Sequence, residues 1–373
     1  PFFTSVLLHI YNRTQVNSDV LQLATAKYSF KYDYLYYYFL GKYLADNIEN
    51  DDIQYEIMLL ADSLYKTSSA NTYLFLSHHS KSEFVTKTVL DIAKDLYKNE
   101  KIVNFSDDME KINESITSTT SRIVLDTTKT YKENKLETFE EDESNSLLSD
   151  VDEVEDFAET EGINYISEIN KAFKTIEILG LILKNRYASL KTKPKLEIAE
   201  EVYFLGLRTT AMIFKILVEG EEFIKNDLLE IIGDEKTLSK SEKEELAKKI
   251  IFNMYYVTSY SIFKRISNSI AVKDLEPTFN DLKNKFPDNN AIALIDISNK
   301  LEYSTSFPFT EIDSLVAKLK NNRFPYFLLR RLSYNYLRMF PMKEQERQKI
   351  CEKLEIPMKV QRQIEMQSLI KKK

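Results

Sequence analysis

Hydrophobic positions recur most regularly between residues 163 and 218. Ile166, Ile169, Phe173, Ile176, Leu179, Leu183, Tyr187 and Leu190 follow one another at steps of three and four, which places them on one stripe of a 3.6-residue helix. A second run, Val202, Leu205, Met212, Ile213, Ile216 and Leu217, opens behind Glu197, Glu200 and Glu201 and stops at Gly220. The pattern predicts two long helices joined at Lys191-Thr-Lys-Pro194, a hairpin that needs partners on its apolar faces. Gly180 and Gly206 fall inside them, and a mid-helix glycine, costing about 1 kcal/mol of propensity, points to close backbone approach.

Upstream, Val6, Leu7, Leu8 and Ile10 fit a short helix or a strand equally well. Tyr28 to Tyr32 alternates like a brief strand, and Leu35 to Ala45 reads as a helix apolar nearly all round and buried on most sides. Ser80-Lys-Ser-Glu83 has the spacing of a capping box, followed by Phe84, Val89, Ile92, Ala93 and Leu96. Ser241-Glu-Lys-Glu244 opens a longer helix whose Asn253, Thr258, Ser259 and Ser261 give it a polar face suited to solvent or to a partner. From Pro277 onward the helices shorten: 288–303, 310–322, 324–340 and 343–354, with prolines at their boundaries.

Near residue 117 the periodicity dissolves. No basic residue lies between Lys135 and Lys171, while Asp and Glu accumulate, so residues 117–162 read as an acidic, solvated connector in which Leu147, Leu148, Val151, Val154 and Phe157 provide anchors for docking. The chain therefore divides into 1–116, the connector 117–162, and a helical block 163–373. Six glycines and eight prolines in 373 residues favour helices with short turns over a sandwich or barrel. The expected fold is all-α, helical hairpins stacked as an irregular solenoid-like array with a small β element near the N-terminus.

Charge adds one contrast. The net charge is −7, yet residues 320–373 hold fourteen Lys and Arg against five Glu and no Asp, a balance of +9. Arg330, Arg331 and Arg338 share a stretch with Tyr326, Tyr334 and Tyr336, the residue types that combine phosphate contact with base stacking. A solvated face explains the same residues, as does attraction to the acidic connector. Cys351 is the single cysteine and suits a reducing cytosol, and no apolar run approaches the roughly 20 residues of a spanning helix. The opening at Pro1, without methionine, suggests a fragment of something longer.

No catalytic constellation emerges, so the chain is expected not to be an enzyme. Gly41-Lys42 lacks the earlier glycine and the following hydroxyl of a phosphate loop. His79 and Glu83 have helical i,i+4 spacing, but two ligands without a third do not make a zinc site, and no metal or other cofactor is assigned to the chain.

Several segments resemble a known family. Phe30, Tyr32, Leu35, Tyr38, Phe39, Tyr43 and Leu44 are similar to the end of the winged-helix region of STAND-class, NACHT-type NTPases. LFLSHHSK at 74–81, the ILGLILKNRYASLK and EIAEEVYFLGLRT runs of the central hairpin, and RMFPMKEQERQKIC at 338–351 resemble the C-terminal helical regions of bacterial members. The resemblance implies a cytoplasmic, non-catalytic sensor module that recognises a trigger, a phage or other foreign protein, and controls oligomerisation and an effector in antiviral defence. ATP or ADP and Mg would bind a nucleotide-binding module outside these residues. Its partners would be the trigger, its own NTPase and effector domains and, once activated, further copies. In the family a histidine contacts the nucleotide phosphate where Tyr32 stands here, which makes Tyr32 the nucleotide-sensing candidate. The alternative is a helical nucleic-acid-binding protein using Arg330, Arg331 and Arg338.

Overall fold

A computed structural model describes residues 21–24, 27–30, 32–106, 109–115, 123–126, 129–137, 161–233 and 239–358. Among the described residues the fold is all-α apart from a hairpin, in which β1 (Leu21–Ala24) pairs antiparallel with β2 (Lys27–Phe30), Leu21 opposite Phe30, and an isolated parallel bridge between Leu125 and Met358. The helices are α1 (Asp33–Asp46), α2 (Asp51–Asp62), α3 (Thr67–His79), α4 (Glu83–Asp95), α5 (Glu110–Ser115), α6 (131–137), α7 (Glu161–Arg186), α8 (Thr192–Glu219), α9 (Glu221–Gly233), α10 (Lys240–Ile270), α11 (Glu276–Lys285), α12 (Asn290–Tyr303), α13 (Phe309–Leu319), α14 (Arg323–Met339) and α15 (Glu344–Lys353). The readings placed on residues 1–20, on most of the acidic connector with its anchors Leu147 to Phe157, and on the terminal lysines lie outside the described residues.

Two compact units result, Pro1–Lys98 with Asp150–Leu205 and Asn99–Ser149 with Gly206–Lys373. Each interleaves two stretches of sequence, whereas the hydrophobic pattern divides the chain at 117 and 162. In the first unit α1 packs on α3, α2 on α3 and α4, and α7 on α3 and α4. The crossing of α1 and α3 is made at Gly41: a Cβ there would lie 2.7 Å from the Leu76 amide nitrogen and 2.8 Å from the Phe75 Cβ. Helix α1 buries only Leu40, Gly41 and Leu44, so the all-round burial expected of it is not found. Its aromatic rings pack on one another and on neighbouring rings instead, Tyr38 meeting Phe39 edge-on at 5.3 Å and Phe75 of α3 edge-on at 5.7 Å, while Phe30 of β2 stacks on Phe39 at 5.8 Å.

The apolar seam of α7 is shorter than its periodicity. Ile176, Leu179 and Leu183 are buried, Ile166 is 56% exposed, and the helix ends at Arg186, before Tyr187 and Leu190. The turn is also earlier than expected, because α8 begins at Thr192 and takes Pro194 into its first turn, where the missing N–H costs nothing.

The second unit is organised around an extended segment, residues 101–106, held by helix N-termini. Asn289 caps α12 through the Ile292 amide at 2.9 Å, and its own amide group donates to the Val103 carbonyl at 3.3 Å. The Asn290 and Asn322 side chains each donate to the Phe105 carbonyl at 2.9 Å, and the Ala291 amide donates to the Asn104 carbonyl at 3.2 Å. Phe105 sits at φ 57, in the left-handed region rarely used by bulky residues. Its ring is fully buried between Phe214, Phe263 and Phe324. Gly206 admits α10 closely, since a Cβ there would lie 2.5 Å from the Ile266 Cδ1.

Around this core α10 packs on α9, α12 and α14, while α12 also contacts α11 and α13. Lys300 joins three helices, reaching Glu276 at 2.9 Å and Glu311 at 2.5 Å. Helix α10 starts two residues before the expected point, with Ser239 and Glu242 forming a capping box. The proline-bounded helices α12 to α15 fall within three residues of the boundaries read from sequence.

Candidate interaction surfaces

Tyr32 precedes α1 and its carbonyl accepts from the Leu35 amide at 3.0 Å. Its ring is half-exposed and stacks on Tyr34 at 5.7 Å. One helical repeat away, Tyr38 meets the His79 ring edge-on at 4.8 Å, and the His79 Nε2 is buried without a hydrogen-bond partner among the described residues. Burial, aided by the charges of Lys42 and His78, holds the His79 imidazole below its ordinary pKa, so the neutral ring is favoured. His78 lies 3.4 Å from the Asn185 amide group. Helix α3 ends at His79 and α4 begins at Glu83, so these two residues do not share a helical face. Nor is Ser80 the cap: Ser82 accepts from the Phe84 amide at 3.2 Å, and Ser80 accepts from the Ser82 amide at 3.1 Å, because α4 starts late enough to make Ser82 its N-cap.

The three arginines of α14 separate into two faces. Arg331 lies over Tyr334 at 5.1 Å and over Tyr260 at 5.6 Å, and Arg338 lies over Tyr334 at 5.9 Å while reaching Glu137 at 3.4 Å. Arg331, Tyr334 and Arg338 follow the i, i+3, i+7 spacing of one stripe. Arg330 points elsewhere, donating to the Glu355 carbonyl at 2.5 Å, and burial lowers its pKa. Tyr336 stacks on Phe340 at 4.6 Å, away from the arginine stripe. The basic side chains of α13 to α15 are thus largely engaged within the second unit, Arg347 with Glu344 at 3.2 Å and Lys353 with Asp313. A cleft of about 390 Å³ lined by Lys129, Tyr131, Asn134, Arg338, Phe340 and Arg347 lies beside them. Cys351 is buried, and burial pushes its thiol up to about 11, which leaves it an inert core residue. Among the described residues no group of three His, Cys, Asp or Glu is placed to hold a metal ion, and no helix is long and apolar enough to cross a membrane.

What the periodicity did not disclose is where large apolar side chains remain outside. Helix α2 buries Ile53, Ile57 and Ala61 on one side, and on the other exposes Tyr55 (57%), Met58 (41%) and Leu59 (42%). In the second unit Phe223 and Ile231 on α9 are 71% and 73% exposed, and Met254 and Val257 on α10 are exposed too. Met254 and Val257 neighbour Asn253 and Ser261 on the face of α10 read as suited to solvent or a partner, while Ser259 of that set is buried and returns its hydroxyl to the Tyr255 carbonyl at 3.0 Å. An i, i+3, i+4 group on the side opposite the buried stripe is the signal that identifies the α2 surface, and it becomes legible only once the buried stripe is known.

No family model, curated protein or solved structure matches the chain.

Proposed function

We propose that the chain is a protein-binding regulatory module, working in the cytosol as the sensor region of a STAND-type NTPase in bacterial defence. The resemblance of its helical segments supplies the family. The observation that carries the binding role is a set of separate exposed apolar faces, on α2 in the first unit and on α9 and α10 in the second, where tyrosine, phenylalanine, methionine and aliphatic side chains stay outside although α2 and α10 also bury an apolar side. Polar side chains in the helices are spent on structure: Thr175, Thr210, Ser259 and Ser269 each return a hydroxyl proton to a carbonyl one turn back. In this reading a foreign protein binds one arrangement of the parent protein more tightly and shifts its population by that difference in affinity, releasing oligomerisation.

The test is capture of partners by the intact chain from lysates of infected and uninfected bacteria, at moderate and at high salt. The expected result is a foreign protein retained from infected lysate at moderate salt, whose capture is lost when apolar residues of α2 or α9 are replaced by charged ones. Recovery of nucleic acid alone, lost as salt rises, would overturn the reading in favour of the basic C-terminal region.

A further inference from the structure

The geometry points to α2 as the docking surface for a basic amphipathic helix of a partner protein. This rests on the protein-binding reading and names the chemistry of one partner. Tyr55, Met58 and Leu59 form a single exposed stripe parallel to the helix axis. The helix carries Asp51, Asp52, Glu56 and Asp62 and no Lys or Arg, so the stripe is bracketed by negative charge at both ends. Asp51 and Asp52 also suit the positive end of the helix dipole, but Glu56 and Asp62 lie beyond the first turn, where that benefit has faded. Asp62 alone of the four has an ion pair among the described residues, to Lys171 at 3.7 Å.

Charge decides among occupants. A second copy docking through the same face would set four carboxylates against four, and like charges across an interface oppose association. Anionic lipid and nucleic acid are repelled for the same reason. A helix with an apolar i, i+3, i+4, i+7 stripe flanked by Lys or Arg meets both requirements, covering the apolar side chains and neutralising the bracket. Twelve residues of α2 extend about 18 Å at 1.5 Å per residue, so three to four turns of partner helix would span the surface.

The experiment titrates the intact chain into a fluorescent 18-residue amphipathic peptide of Leu and Lys, with a Leu and Glu peptide as the charge-reversed control, and maps binding by hydrogen exchange. Binding of the Lys peptide is expected, with protection centred on residues 51–65 and no binding of the Glu peptide. The double variant M58K/L59K is expected to weaken binding at least about tenfold, equal to about 1.4 kcal/mol. L136K on α6, at a side chain 60% exposed, is expected to leave it unchanged. Both variants alter exposed side chains, and thermal melts matching that of the unaltered chain are the check that they remain folded. Equal binding by M58K/L59K, protection elsewhere, or equal binding of the Glu peptide would overturn the proposal. So would binding only after removal of residues 359–373, which would give the surface to the chain's own basic tail. Lysate capture that survives M58K/L59K while the peptide fails to bind would discard this surface and leave the protein-binding reading standing.

Discussion

Helices of the first unit meet at Gly41, where the Leu76 backbone comes within 2.7 Å of the space a Cβ would need; in the second unit the extended segment around Phe105 is held by side-chain amides from the starts of α12 and α14. One arrangement depends on leaving a side chain out, the other on placing three asparagines. Steric exclusion of this kind tolerates no added atom but is indifferent to polarity. An amide clasp fixes direction and register, because each donor and acceptor has one place to go. The second unit is accordingly the one in which single polar substitutions are expected to be felt.

Phe105→Ala would break that contrast most severely. Removing a fully buried ring is expected to cost about 3–5 kcal/mol, read as a lowered denaturation midpoint. Next come the two glycines. Gly41→Ala forces backbone apart, and about 1–3 kcal/mol of crowding outweighs the roughly 1 kcal/mol that alanine gains as a helix former. Gly206→Ala meets only the end of the Ile266 side chain, which can turn aside, so its net effect is expected within about 1 kcal/mol of neutral. Thermal melts of the pair compare a backbone contact with a side-chain contact directly. Asn290→Ala removes one of the two amides that donate to the Phe105 carbonyl and leaves it the Asn322 amide, for an expected loss of about 0.5–1.5 kcal/mol.

The smallest expected effects are pH-dependent, and they fall in different windows in the two units. His79 has a folded pKa below its ordinary 6.5, so its contribution is present above that value and is lost as pH falls through the folded pKa. For Glu311, burial opposes ionisation but the Lys300 hydrogen bond outweighs it, holding the carboxyl below 4.5; its contribution is full above 4.5 and is lost on further acidification. Melts at stepwise lower pH are expected to show His79→Gln blunting the first loss and Glu311→Gln the second.

Periodicity made the helices legible because burial of one face is a repeating constraint, and prolines marked the ends of α12 to α15 for the same reason that they cannot continue an interior turn. It overextended α7, since Ile166 follows the stripe yet stands 56% exposed. Gly41 stood out only as a failed phosphate loop, because close approach depends on which helix crosses there, and local sequence holds no record of that. The asparagines were invisible for a similar reason: Asn104 and Asn290 are separated by 186 residues, and each resembles an ordinary turn or cap residue. The arginines of α14 were grouped by proximity in sequence, whereas a helix turns Arg330 away from Arg331 and Arg338. The tyrosines of α1 misled in the other direction, since rings that shield one another need less burial than their hydrophobicity suggests.

The clasp around Phe105 also sets a schedule for biosynthesis. Residues 103–106 leave the ribosome long before the asparagines that hold them, and at roughly 5–20 residues per second a gap of 186 residues takes roughly 9–37 s to synthesise. Throughout that interval Phe105 has neither its amide partners nor the Phe324 ring. The nascent second unit must therefore keep an aromatic segment from aggregating until its last third emerges, a delay during which a holding chaperone would have most to do.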